Sequence, residues 1–202
     1  MGELTVTMFL TLDGVLQGPG AVDEDRDAGF EHGGWQAPFF DQGSGSSVFE
    51  VYERADALLL GRRTYDIWEG FWPTGPADSP FTRLINELPR YVASRTLTRP
   101  GWPGTTVLDG DAADAVPRLK AEHERILVAG SGGLIQTLLR HRLVDRLDLY
   151  VYPLALGTGK RLFGDGTVPT AFRLEGSQAF EGGAVRLRYA HAGEPTYADI
   201  GG

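Results

Sequence analysis

Between residues 4 and 10 the apolar side chains Leu4, Val6, Met8 and Leu10 fall on alternate positions, which predicts a strand buried on one face. The run Ala57 to Leu60 is apolar throughout and predicts a short buried strand that ends at Gly61. A helix is expected over 62–69. Ser79-Pro80 marks another helix start, since proline suits the first helical position behind a capping serine. The segments 90–94, 105–108 and 125–129 predict further strands, and 134–141 a helix. Ser46 and Ser47 are placed to cap a helix over 47–55 that carries Val48, Phe49, Val51 and Tyr52. Asp111 is placed to cap a helix running to Lys120, with Pro117 as an alternative start. Beyond His141 the helical pattern stops. Leu147 to Val151 alternates as a strand, 157–166 is a glycine-rich loop, and 172–180 and 185–191 read as strands around the turn Glu181-Gly182-Gly183.

Strands alternating with helices imply a parallel sheet, and the closing run of strands implies an antiparallel edge. The expected fold class is α/β: a single mixed, mostly parallel sheet of about eight strands flanked by helices. One domain is expected over residues 1–193, with 194–202 as a loose tail. The long stretch from Asp13 to Gly45, rich in Gly, Pro and Asp, is a loop. Its four aromatics, Phe30, Trp35, Phe39 and Phe40, argue against disorder.

Composition narrows the function classes. The 202 residues include no cysteine, which removes disulfides, a thiolate nucleophile and a Cys-built zinc site. The net charge of −8, without a basic block, argues against a nucleic-acid or membrane-surface role. The N-terminal residues lack the pattern of a secretory leader, and no apolar run approaches the ~20 residues of a membrane span. The expectation is a cytoplasmic protein with a small-molecule ligand. The four histidines form no metal-ligand motif, and no metal is expected.

Three turns carry candidate chemistry: Gly61-Arg62-Arg63-Thr64, Ser94-Arg95-Thr96 and Gly130-Ser131-Gly132-Gly133. Each leaves an apolar strand, and the first and third enter a helix. Ligands of parallel α/β sheets bind beyond the carboxyl ends of the strands, where helix N-termini offer free N–H groups to phosphate. Position 135 is Ile, so the full G-x-G-x-x-G fingerprint fails, and this turn alone is equally a tight connection without a ligand. Arginines at the first turn of a helix oppose its dipole unless an anion neutralises them. Two such clusters at neighbouring strand ends suit the 2′-phosphate that distinguishes NADPH from NADH.

Thr11-Leu-Asp-Gly-Val-Leu-Gln-Gly18, Leu60-Gly-Arg-Arg-Thr-Tyr65, Val92-Ala-Ser-Arg-Thr-Leu97, Val128 to Ile135 and Leu156-Gly-Thr-Gly-Lys-Arg-Leu-Phe163 occur in the order found in the dihydrofolate-reductase-like superfamily. Over residues 3–191 the chain more closely resembles the stand-alone relatives of the C-terminal reductase domain of the bifunctional riboflavin-biosynthesis deaminase-reductase. The resemblance implies NADPH, with Gly61 to Thr64 and Ser94 to Thr96 around the adenosine end. Gly130, Ser131, Gly132, Gly133, Leu134 and Ile135 would hold the pyrophosphate, and the loop with Leu12, Gly14, Val15 and Gly18 would lie over the nicotinamide. The implied reaction is hydride transfer to a C=N or C=O carbon of a planar heterocycle or sugar, as in 5-amino-6-(5-phosphoribosylamino)uracil reduction. A homodimer is also implied.

Dihydrofolate reductases carry a carboxylate on the first helix. Gapless counting from Gly61 puts that position near Gly45, and the nearest acids on the expected helix are Glu50 and Glu53. Glu50 and Asp13 are the catalytic candidates, Asp13 also being placed to form a turn before Gly14. Trp35, Phe39, Tyr52 and Trp68 are candidates to stack a flat substrate, and Lys160 to hold a substrate phosphate. Two other readings compete. Ala129-Gly-Ser131-Gly-Gly133 is a relaxed nucleophile elbow, which Asp145 or Asp165 and then His191 would complete as a serine hydrolase, with His32-Gly-Gly-Trp35 near the oxyanion. A nucleotide-binding module without turnover is the third.

Overall fold

The computed structural model describes residues 1–201, and Gly202, the last residue of the expected tail, lies outside them. Among the described residues, eight strands form one sheet in the order β4-β3-β2-β5-β1-β6-β8-β7. The strands are β1 (Glu3–Thr11), β2 (Ala57–Gly61), β3 (Arg90–Ala93), β4 (Thr105–Val107), β5 (Arg125–Ala129), β6 (Arg146–Tyr152), β7 (Phe172–Ala179) and β8 (Val185–His191). The pairings from β4 across to β6 are parallel, while β8 is antiparallel to both β6 and β7. This is the mixed sheet with an antiparallel C-terminal hairpin that the alternation predicts.

The helices are α1 (Gln42–Glu53), α2 (Arg62–Glu69), α3 (Pro80–Glu87), α4 (Ala112–Glu122) and α5 (Gly132–Arg140). The even residues of β1 pack with Ala115, Val116 and Leu119 of α4 and Leu134, Ile135 and Leu138 of α5. On the opposite face Leu58, Leu60 and Val92 pack with Val51 and Tyr52 of α1, Tyr65 of α2 and Ile85 of α3. A third cluster, with Phe30, Trp35, Tyr150 and Tyr152, lies under the long loop and gives it a core of its own. Because α2 and α5 follow neighbouring strands but pack on opposite faces, the chain opens a crevice between the ends of β2 and β5.

Two helices start elsewhere than the sequence pattern predicts. The first helix begins at Gln42, not 47, through two glycines that each cost about 1 kcal/mol relative to alanine. Asp41 compensates: its carboxylate accepts from Ser44 N at 2.7 Å, and Ser44 Oγ accepts from Asp41 N at 3.2 Å. Gly182 N, from the β7–β8 turn, donates to the same carboxylate at 2.7 Å. This tertiary bond fixes the cap. The fifth helix begins at Gly132 rather than Leu134. Pro117 lies inside α4, exposed, and does not start it.

Candidate functional site

Gly61 and Gly130 end adjacent strands, and each turn occupies space beside the other. A Cβ at Gly130, whose φ is +59°, would lie 3.0 Å from Thr64 Oγ1, and one at Gly61 would lie 3.0 Å from Ser131 Oγ. Ser131 itself sits in the left-handed region at φ 70°, a conformation that costs about 1–3 kcal/mol for such a residue. Its side chain holds it there: Ser131 Oγ accepts from Gly61 N at 2.7 Å and donates to Thr64 Oγ1 at 2.8 Å. The lock brings the N-termini of α2 and α5 together, and their first-turn N–H groups have no acceptor within their own helices.

Beside the lock is a cavity of about 690 Å³. Its floor includes Thr7 and Phe9 of β1, one wall is Gly61 to Thr64 with Ile67 and Trp68, and another is Gly130 to Leu134. Tyr52 of α1 and, from the loops, Gly18, Asp25 and Lys160 also line it. A depression of about 660 Å³ continues from Gly61, Arg62, Gly133 and Leu134 to Ser94, Arg95 and Asp111. The two arginine turns touch, because Arg62 Nη1 donates to Thr96 Oγ1 at 3.2 Å. Arg62 also meets Asp66 at 2.7 Å, Arg95 meets Asp111 at 2.7 Å, and Ser94 Oγ accepts from the N–H groups of Thr96 and Leu97. Arg95 is exposed, and its surface ion pair is worth little in water, which leaves it free to exchange partners.

The loop 18–34 adds Gly18, Pro19, Glu24 and Asp25 to the cavity lining and is tied down by Gln17, which is 2% exposed. Gln17 Nε2 donates to the carbonyls of Asp25 and Asp27, both at 3.1 Å, and Gln17 Oε1 accepts from Lys160 N at 3.1 Å. The Trp35 indole donates to the Gln17 carbonyl at 2.8 Å. Asp25 and Asp27 then clasp two cations that line the cavity, Arg63 and Lys160. Lys160 Nζ lies 2.7 and 3.0 Å from their carboxylates, and Arg63 Nη1 lies 3.7 and 2.5 Å from them. The Arg63 hydrogen bond, with Lys160 beside it, depresses the Asp27 carboxyl to about 2, from a usual value of 3.8. Because the folded value is depressed, the clasp is complete above about pH 4 and is lost only as pH falls toward 2. At pH 8, replacing both acids by Asn is expected to speed tryptic cleavage after the exposed Arg26 about tenfold, through easier local opening of the loop. An unchanged cleavage rate would mean that the pairs do not hold the loop.

Several expected site residues lie elsewhere. Trp35 and Phe39 do not reach the cavity and pack on Tyr152, because the long loop needs them as its core. Glu50 is exposed on α1 and faces Arg54 at 3.8 Å, so it is not the buried carboxylate the reaction would need. Asp13 is consumed structurally. It accepts from Thr11 Oγ1 at 2.6 Å, from the N–H groups of Leu156 and Gly157 at 3.1 and 2.8 Å, and from Arg161 at 3.2 Å. The Thr11 bond foremost, with the Gly157, Leu156 and Arg161 bonds, holds its carboxyl far below the usual range against the opposing effect of desolvation. Its role is the turn-former, joining β1 to the loop before Leu162. Leu12 is exposed, Val15 is buried and bridged to Arg161, and Gly14 binds the 162 backbone, so of these four expected contacts Gly18 lines the cavity, beside Leu16 and Gln17. The side chain of Ile135 belongs to the core.

The hydrolase arrangement does not assemble. Ser131 Oγ is engaged with Thr64 and Gly61 at the carboxyl end of β5. His191 ends β8 one position beyond the pairing of Ala190 with Arg146, the first residue of β6, at the opposite edge of the parallel strands. His32 is exposed and packs on Phe30. Asp25, Asp27 and Gln17 carry no recognisable motif, and their partners are distant in sequence.

Residues 3–186 match the RibD C-terminal domain family, and the chain belongs to it. The uncharacterized protein YyaP of Bacillus subtilis (strain 168) is 26% identical over 194 residues, covering 93% of this chain and 94% of its own. Among solved structures, a putative riboflavin biosynthesis protein from Shewanella sp. PV-4 superposes with a TM-score of 0.68 at 23% identity, over 94% of this chain and 99% of that one. A pyrimidine reductase-like protein from Corynebacterium diphtheriae gives a TM-score of 0.67 at 16% identity, over 95% and 92%. Both share the fold.

Proposed function

We propose that this member of the RibD C-terminal domain family is a reductase that uses NADPH to reduce a planar nitrogen heterocycle of the pyrimidine type. The observation that carries the reading is the Gly61–Ser131–Thr64 lock, which turns two helix N-termini and the Arg62–Arg63 pair toward one cavity. The glycines support it, since a side chain at Gly130 or Gly61 would close the cradle against its own neighbour. The continuous groove from Gly133 past Arg62 to Arg95 has the extent and charge for the adenosine end, including a 2′-phosphate. The solved relatives' descriptions, riboflavin biosynthesis and pyrimidine reductase-like, support the substrate class. The dinucleotide would supply the hydride. The chain would hold it, position the acceptor and shut out water with the loop 18–34.

The test is a titration with NADPH and NADH, followed by energy transfer from tryptophan to the reduced nicotinamide. NADPH is expected to bind at least tenfold more tightly, and Arg62→Ala or Arg95→Ala to narrow the gap to about threefold, the scale of ~1 kcal/mol from one charge-assisted contact. Equal affinities in the unaltered protein would sink the 2′-phosphate assignment, and no binding would sink the reductase reading.

A further inference from the structure

Five arginines gather away from the cofactor turns, at the amino ends of β1, β5 and β6. A cavity of about 250 Å³ opens there, lined by Arg54 at the end of α1, Arg125 of β5, Arg146 of β6, and Arg186 and Arg188 of β8. Glu3, Asp148 and Glu175 are the acids in its lining, which leaves an excess of two positive charges in a chain of net charge −8. Arg186 and Arg188, two apart on one strand, point to the same face of the sheet. Like charges crowded on one face repel, a cost that a bound anion removes.

The acids are committed. Asp148 faces Arg188 in the strand register but bonds Arg186 through both oxygens, Nε to Oδ1 at 2.7 Å and Nη2 to Oδ2 at 2.5 Å. Glu3 and Glu175 both bond Arg146. Asp56, beside β5, accepts from the N–H groups of Glu124 and Arg125 at 2.8 and 3.1 Å. Arg54 meets Glu50 at 3.8 Å, an exposed pair worth little in water. Among the described residues neither Arg125 nor Arg188 has an acid within ion-pair distance, and neither guanidinium donates a hydrogen bond within the protein. The backbone makes room for one of them. Gly176 of β7, opposite Arg188, follows an irregularity in the register, and a Cβ there would lie 2.5 Å from Arg188 Nη2 and 3.2 Å from its Nε and Cζ. Glycine inside a strand weakens it, and the close approach of another group is a common reason for one.

We infer that this cavity is a second ligand site, and that its ligand is a small anion carrying a diphosphate group. Guanidinium groups meet phosphate oxygens bidentately, and Arg125 and Arg188 bring uncommitted donors to one space, with Arg54 beside them. Several cations with no acid of their own call for an anion of charge two or more. The volume suits a diphosphate and falls below the ~300–1,000 Å³ of sites that enclose a drug-sized molecule. The site does not depend on the reductase reading, because it shares no lining residue with the large cavity or with the groove to Arg95.

The experiment titrates inorganic pyrophosphate into the isotope-labelled full chain at constant ionic strength and follows the backbone amides. Saturable shifts are expected at Thr5, Arg125 and Arg188. Inorganic phosphate is expected to act on the same amides about tenfold more weakly, because it reaches fewer guanidinium groups. Arg125→Gln and Arg188→Gln are each expected to weaken pyrophosphate about tenfold at these amides. Arg83→Gln, which removes an exposed arginine of α3 outside the cavity, is expected to leave that affinity within about twofold, since salt screens a distant surface charge. ADP separates the two sources of a diphosphate: affinity equal to that of pyrophosphate assigns the site to a nucleotide, and weaker binding assigns it to the free anion. Shifts that sodium chloride reproduces, amides at Thr5, Arg125 and Arg188 unmoved by pyrophosphate, or an equal loss in Arg83→Gln would each overturn the inference. Any of these leaves the reductase reading standing, and failure of the protein to bind NADPH leaves this site standing.

Discussion

Replacing Gly133 by Asp is expected to weaken NADPH binding about a hundredfold, or ~2.7 kcal/mol, while leaving the fold as stable as before or more so. Gly133 is the second residue of α5, and a Cβ there meets nothing within 4 Å. Its φ is not in the left-handed region, so a side chain is tolerated. A carboxylate in the first turn of a helix stabilises it by roughly 0.3–1 kcal/mol, and replacing glycine in a helix adds several tenths more. The same carboxylate would stand where the pyrophosphate is proposed to sit. Two like charges about 5 Å apart repel by roughly 3 kcal/mol at an effective dielectric near 20. Thermal unfolding and the fluorescence titration check both halves. A stable variant with undiminished affinity would remove this turn from the cofactor site.

The second large effect concerns stability. Arg90→Leu is expected to cost about 3–5 kcal/mol in urea unfolding, enough to halve the stability of many domains. Arg90 is 1% exposed at the start of β3. Its Nη1 donates to the carbonyls of Ile85, Asn86 and Leu88 at 2.8, 3.1 and 2.7 Å, and its Nη2 donates to that of Pro103. The guanidinium carbon lies 4.0 Å from the centre of the Trp102 ring. Burial lowers its pKa to about 10, still far above neutrality. Leucine would satisfy none of those carbonyls. A loss under 1 kcal/mol would show that water replaces the guanidinium readily at that site.

The layout of the sheet was legible because burial in a parallel sheet writes itself as apolar runs, as in Ala57–Leu60 and Ile126–Ala129. The three turns were legible because glycine and arginine at strand ends are expensive choices with few physical reasons. The start of α1 was not, since its cap depends on Gly182 N, 141 residues from Asp41. Trp35 and Phe39 looked like substrate platforms, but aromatic content alone does not separate a loop's own core from a site wall. The clasp joins Asp27 to Arg63 and Asp25 to Lys160 across 36 and 135 residues, and no local pattern encodes it. Tyr52 showed as an aromatic on the inner stripe of a helix. That it lines the cavity is a property of the packed structure alone.

The central claim is that the turns at 61–64, 94–96 and 130–135 hold one dinucleotide. Backbone amide spectra of the labelled protein, recorded with and without saturating NADPH, test it most directly. The predicted result is that the largest shifts fall on Gly61 to Thr64, Thr96 and Gly130 to Leu134, with shifts at Asp25 and Asp27 as Arg63 changes partner. Shifts confined to other elements, with these amides unmoved at saturation, would contradict it.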